Sequence, residues 1–272
     1  MTTLSDQHVE IDFETRSPVD LKTHGAFVYF EHPLTEALIG SYRIDKGPIR
    51  RWERGQPCPP DLRAAIEGGA TISAHNAQFE ILCMAMLADR HGWPRAKLEQ
   101  YRCTAATAAA MALPRALGDL GVVLGLPAQK DKEGTRLIRK FSIPRKPRKD
   151  EPPGLYWNEP EDHPKDFELF KSYCDQDVLV EAAADARMVP LSAEEQSLWW
   201  IDQRINQRGI RIDVKSARAA IKMADKAKRE LDREMRAATG GAVPACSQPG
   251  KLTEWVTRQG IPMTSAAKAE IE

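Results

Sequence analysis

An α/β fold followed by an incomplete α-helical region is what the 272-residue sequence predicts. Val9-Glu10-Ile11-Asp12-Phe13-Glu14 alternates with the period of a strand, so an extended backbone puts Val9, Ile11 and Phe13 on one face and three carboxylates on the other. As far as residue 190, strand-like runs are interleaved with runs at helical spacing, the pattern of a sheet with helices on its faces. From residue 191 onward only helical periodicity remains, in helices with one apolar face each that need a partner surface. The expected organisation is therefore an α/β domain over 1–190 and a helical region over 191–272.

Taken in order, residues 26–29 and 37–42 carry β-favouring side chains bounded by Gly25, Pro33 and Gly47, which predicts a meander of three strands with the first one. Residues 53–60 read as a loop. A short helix over 61–67 stops at Gly68-Gly69, and a buried strand over 70–74 follows. His75-Asn76 marks the turn into a helix on which Phe79, Leu82, Cys83, Met86 and Leu87 recur at helical spacing as far as Gly92. Residues 101–104 suggest a further strand, and two short helices flank Pro114. Between Lys130 and Lys149 basic residues outnumber acidic ones, and Pro144 and Pro147 hold the later part extended. A proline-rich loop leads to a helix from about Lys165 to Met188. Ser192 and Glu195 form a capping-box pattern for the next helix, whose Leu198, Ile201 and Ile205 line one face before Gly209. A long amphipathic helix then runs to Gly240-Gly241, and a short one surrounds Leu252, Trp255 and Val256.

Lys plus Arg and Asp plus Glu both number 39, so local asymmetry carries more information than the total charge. The five cysteines are widely spaced without a C-x-x-C pair, which argues against a disulfide framework or a zinc knuckle and for a reduced, intracellular protein. The N-terminus has no signal-peptide core, and no apolar run approaches the length that spans a bilayer, so no membrane role is expected.

Three groups of residues stand out. Asp12 and Glu14 are side by side on one strand face, where like charges repel and a divalent cation converts repulsion into ligation. Asn76, Phe79 and Glu80 open the helix after a buried strand; Asn76 also has a reading as an N-cap and Phe79 as core. Tyr173 and Asp177 are four apart on one helix face, whereas Asp175 points elsewhere.

In this order, D-x-E, N-x-x-F-acid at a strand-to-helix junction and Y-x-x-x-D resemble the three motifs of the DEDD 3′-5′ exonuclease superfamily, in its tyrosine subtype. More narrowly, residues 74–77, 130–134 and 141–146 resemble the proofreading domains of phage-type family A DNA polymerases, and residues 205–213 and 247–252 are similar to the helical entry into the polymerase thumb. The resemblance implies a ribonuclease H-like mixed sheet over about residues 8–190. It implies catalytic residues Asp12, Glu14, Glu80, Tyr173 and Asp177. It also implies two Mg²⁺ or Mn²⁺ ions, one held by Asp12, Glu14 and Asp177 and the other by Asp12 with water-mediated help from Glu80. Tyr173 would orient the attacking water. The superfamily's second motif ends in Asp, and this chain has the longer Glu80, which reaches a metal directly or through water.

Phe13, Thr15, Asn76 and Phe79 are the expected contacts to the terminal nucleotides, and Lys130, Arg139, Lys140, Arg145 and Lys146 are candidates for neutralising a single-stranded backbone. The implied partners are single-stranded DNA or a primer 3′ end, and a polymerase module in cis or trans. The implied location is the cytoplasm of a bacterial or phage-infected cell. No palm or fingers sequence is present, so the chain reads as a fragment or a stand-alone exonuclease. The same chemistry on RNA, as in ribonuclease D-like members, and a catalytically silent nucleic-acid-binding module are the alternatives.

Overall fold

The strand β1 (His8–Arg16) is the spine of a five-stranded sheet in the computed structural model, which describes residues 5–126 and 132–266. β2 (Glu36–Ile44) runs antiparallel beside it and β3 (Arg50–Glu53) antiparallel beyond β2. On the other side β4 (Thr71–Ala74) and β5 (Tyr101–Cys103) run parallel to β1, which gives the order β3-β2-β1-β4-β5. The mixed sheet with helices packed on it is the expected α/β, ribonuclease H-like arrangement, and further helices follow it.

Alternation in β1 decides which side each layer occupies. Val9, Ile11 and Phe13 are buried in one cluster with Tyr29, Leu62, Ile66, Ile72 and Met84. That cluster is supplied by α1 (Leu21–Glu31), α2 (Pro60–Glu67) and α3 (Gln78–His91). On the opposite face Leu38 packs with Leu137, Phe141, Phe167, Phe170, Tyr173 and Cys174. These come from α6 (Lys132–Phe141) and α7 (Pro164–Asp185), so the carboxylate face of β1 looks at α7. Gly40 pairs with Phe13, and a Cβ there would stand 2.7 Å from the ring, so the aromatic needs this glycine. The short helices α4 (Thr104–Ala110) and α5 (Leu117–Val123) flank Pro114 as expected.

Two expectations are corrected. Residues 26–29 form no strand: they lie in α1, where the Asp20 side chain accepts from Thr23 N at 2.7 Å and Tyr29 and Phe30 turn into the core against Phe79. Gly25, at φ 77, interrupts this helix and hides its periodicity, and packing overrides the β-propensity of Phe27-Val28-Tyr29. The third strand of the meander is instead β3, which begins before the expected loop. In α8 (Ala193–Arg208) the capping box is present, with Glu195 N donating to Ser192 Oγ and Ser192 N to Glu195 Oε2. Its Leu198, Ile201 and Ile205 are exposed, and the helix packs through Gln196, Trp199, Trp200 and Gln203. Arg204 of α8 also pairs with Glu99.

Two compact units divide at Arg208/Gly209, so α8 lies in the first. In the second unit Asp213 caps α9 (Val214–Ala238) through Ser216 N at 3.0 Å, and Gly240 and Gly241, both at positive φ, follow its end. Asp232 of α9 accepts from Cys246 N, which ties the following turn back to the helix ahead of α10 (Pro249–Arg258).

Candidate metal centre

The middle of β1 carries Asp12 and Glu14 on the face toward α7, whose Asp177 meets them: one carboxylate oxygen from each lies within 4.8 Å of the others. Two periodicities produce this convergence, since i and i+2 share a strand face and Tyr173 and Asp177 share a helix face. A register irregularity between Glu14 and Thr15 in the pairing with β2 falls beside the cluster, where it re-aims the strand. Cys174 Sγ donates to the backbone O and Oδ2 of Asp12 at 3.5 Å, which fixes α7 against β1.

Carboxylates beside the cluster have cations of their own. Glu10, two residues before Asp12, is paired with Arg43. Asp175 is held by Arg51 at 2.6 Å and by Ser41 Oγ at 2.7 Å. Sequence spacing sends Asp175 away from Asp177, and that is where it stands.

Glu80 is 2 % exposed and lies outside the three-residue cluster, yet the charge of Asp12 acts on it. Burial first, and Asp12 second, push its carboxyl well above the usual range. Its Oε2 is buried with no hydrogen-bond partner among the described residues. Such an orphaned acceptor, beside all-oxygen donors gathered from β1 and α7, fits a divalent cation with water between it and Glu80.

Tyr173 is buried, hydrogen-bonded to Asp177, and its phenol is raised by burial and then by the charges of Asp177 and Glu14. The hydroxyl therefore keeps its proton near neutral pH. Gly134 of α6 lies directly against this ring: a Cβ there would stand 2.6 Å from Tyr173 Cδ2 and Cζ and closer still to Cε2. The basic run that contains Gly134 gives no helix in the sequence reading, so this close approach is visible only in the structure.

Glu181, one turn beyond Asp177, is a further buried carboxyl that the sequence marks only as part of an inward helix face. Thr104 Oγ1 reaches its Oε1 at 3.4 Å, and burial, then Glu80 and Asp12, raise its pKa.

A cleft of ≈ 460 Å³ opens next to Glu14 and brings Phe13, Thr15 and Phe79 together with Tyr29, Ile138 and Ile143. Phe13 is 4 % exposed and T-stacked on Trp93, so most of it is core, while Phe79 is half-buried. Thr15 Oγ1 is hydrogen-bonded to Tyr29 Oη at 2.7 Å. Ile138, in α6, and Ile143, just past its end, are wall residues that sequence reading missed, because both lie in the basic run. Asn76 is exposed with φ 65 and precedes the helix cap, Ala77, so it shapes the turn rather than capping α3.

The basic candidates divide. Lys140 is paired with Asp166 at 2.6 Å, and Arg145 with Glu151 at 2.6 Å while lying over Tyr156. Arg139 and Lys146 are exposed. Lys130 lies outside the described residues.

No family model matches the chain. It is 38% identical over 270 residues to a protein of Bacillus phage SP02 named DNA polymerase. The alignment takes in 97% of this chain and 40% of that protein, so the chain spans well under half of its relative's length. No helix among the described residues is long and apolar enough to cross a membrane.

Proposed function

We propose that the chain is a metal-dependent 3′-5′ exonuclease that removes nucleotides from single-stranded or mispaired DNA ends, the proofreading portion of a phage-type DNA polymerase. The observation that carries this reading is the convergence of Asp12, Glu14 and Asp177, with Tyr173 hydrogen-bonded to Asp177. Asp12, Glu14 and Asp177 would hold Mg²⁺ or Mn²⁺, with Glu80 reaching a second ion through water. When bound, two such ions supply the acidity for the attacking water and absorb charge on the leaving 3′-oxygen.

The chain's own residues position the reaction. The Tyr173 hydroxyl keeps its proton, donates a hydrogen bond to Asp177 and offers its oxygen lone pairs to a water beside that carboxylate, so it positions the water rather than deprotonating it. Cys174 and the Ser41–Asp175–Arg51 contacts hold α7 against the sheet, which keeps Asp177 facing β1. The cleft beside Glu14 would receive the terminal nucleotide on Phe79, with Phe13 as its floor. Arg139 and Lys146 are the exposed cations available to the strand's backbone. The relative's name, DNA polymerase, favours DNA over RNA and a polymerase module in cis or trans. We assign catalysis to residues 1–190 and a thumb-like role to 191–272.

Purified protein with Mg²⁺ or Mn²⁺ should shorten a 5′-labelled single-stranded DNA one nucleotide at a time, faster than the matched RNA. Asp12→Ala or excess chelator should abolish the ladder. A ladder that persists under either condition overturns the assignment.

A further inference from the structure

A second cavity, of ≈ 630 Å³, opens where β1 and β4 begin, between β5, the end of α7 and the start of α8. It shares no lining residue with the carboxylate centre. Arg102 stands at one end. It is half-buried, its Nη1 donates to the carbonyls of Glu99 and Tyr101 at 2.8 and 2.9 Å, and its guanidinium lies 5.0 Å over the Trp200 ring. Trp200 Nε1 donates to the same Tyr101 carbonyl at 3.2 Å, so one backbone oxygen fixes both side chains.

Arg16, Arg43, Arg51, Arg54 and Arg145 are each paired with a carboxylate. Arg102 is paired with none among the described residues, and the Nε and Nη2 hydrogens meet no described acceptor. Burial alone acts on it, lowering its pKa. A desolvated guanidinium with an open fork is a site for an oxyanion.

The other end of the cavity has the opposite character. Asp185 is half-buried and its carboxylate accepts no hydrogen bond from a described residue; the charges that act on it are His8 and Glu10, not Arg102. The hydroxyl of Thr107 and the amide of Gln196 lie in the wall. A ligand that satisfies both ends carries an anion at one extremity and N–H donors at the other, with a flat ring for the aromatic wall.

We propose that this cavity binds a nucleotide bearing a terminal phosphate monoester, its phosphate on Arg102 and the amino group of its base on Asp185. The volume falls within the range of small-molecule sites, roughly 300–1,000 Å³. The phosphate belongs either to a free mononucleotide or to the 5′-phosphorylated end of a strand.

Titration calorimetry of the full chain in excess EDTA tests this without loading the metal centre, so its outcome is independent of whether the chain is a nuclease. The probes are dAMP, dTMP, and one oligonucleotide with and without a 5′-phosphate. The expected result is binding of dAMP more tightly than dTMP, at least a tenfold loss in Arg102→Gln, and no change in Asp12→Ala. Ser197→Trp, at an exposed position of α8 in the cavity wall, should block binding without touching Arg102. It decides the matter if Arg102→Gln fails to fold. Binding of the phosphorylated oligonucleotide but not of dAMP assigns the phosphate to a strand end, and binding of dAMP alone assigns it to a free nucleotide. No binding by any phosphorylated probe overturns the proposal, as does binding that survives both cavity variants or disappears in Asp12→Ala.

Discussion

Replacing Gly134 by alanine sets two ordinary effects against each other at the point where α6 meets the candidate centre. In a helix interior the change normally stabilises by about 0.5–1 kcal/mol, because alanine has less backbone freedom to lose. Here the new Cβ would stand 2.6 Å from two Tyr173 ring carbons and nearer to a third. Carbon–carbon contacts settle at about 3.5–4.0 Å, so ring and helix must separate by roughly an ångström. Overpacking of this kind costs about 1–3 kcal/mol, which leaves a net loss of up to roughly 2 kcal/mol. An ångström of displacement at a positioning group also lowers a rate by about 10²-fold. Urea denaturation reads the first quantity, and release of nucleotides from labelled single-stranded DNA reads the second. In a Tyr173→Ala background the ring is absent, so the same substitution should turn neutral or stabilising. A Gly134→Ala protein that gains stability and keeps full activity refutes the close approach on which this reasoning rests.

Other perturbations separate the roles of the carboxylates. Asp175→Ala should retain nuclease activity but lose about 1–2 kcal/mol of stability in urea, since it strips the partners of Ser41 and Arg51. Divalent cations should raise the melting temperature of the native chain, by about 2.7 kcal/mol of stabilisation at a hundred times the dissociation constant, and leave that of Asp12→Ala unmoved. In chelator, Glu181 gives a pH dependence of definite sign. Its folded pKa is raised above the ordinary 4.5, so its contribution is complete below pH 4.5 and declines as pH rises toward the folded value. Glu181→Gln should therefore flatten the fall of melting temperature above pH 4.5, and an unchanged slope would show that Glu181 does not titrate in that range. Glu80→Gln should stabilise the metal-free protein modestly, by relieving a buried acceptor next to Asp12, while lowering activity.

The parts of the fold legible in the sequence were those set by short-range geometry. Alternation in β1 fixed which face Asp12 and Glu14 occupy, a four-residue spacing put Tyr173 and Asp177 together, and the Ser192–Glu195 box marked the start of α8. What stayed hidden depends on partners far along the chain. Residues 26–29 favour a strand locally, yet Phe79, some fifty residues on, draws Tyr29 and Phe30 into a helix. Lys140 reads as a free cation until α7 brings Asp166 beside it. The apolar row of α8 is plain in the sequence, but the docking face is chosen by Gln196, Trp199, Trp200 and Gln203, of which the Gln196 amide and the Trp200 indole donate to the Tyr101 carbonyl of β5.

Electrostatics also shape the frame around the centre. Arginines occupy the positions that bracket it: Arg43 on Glu10, Arg51 on Asp175, and Arg16 with Arg54 on Glu36 and Glu159. These pairs tie the frame together across β1, β2, β3 and α7. Glu80 and Glu181, the thiols of Cys83 and Cys174, and the Tyr173 phenol are all displaced toward their neutral forms, and in each the carboxylate charges of the centre add to burial. Carboxyls, thiols and a phenol are thus pushed in the same direction, by burial first and by neighbouring carboxylates second. A compact divalent cation held by Asp12, Glu14 and Asp177 would lower the energy of every carboxylate there at once.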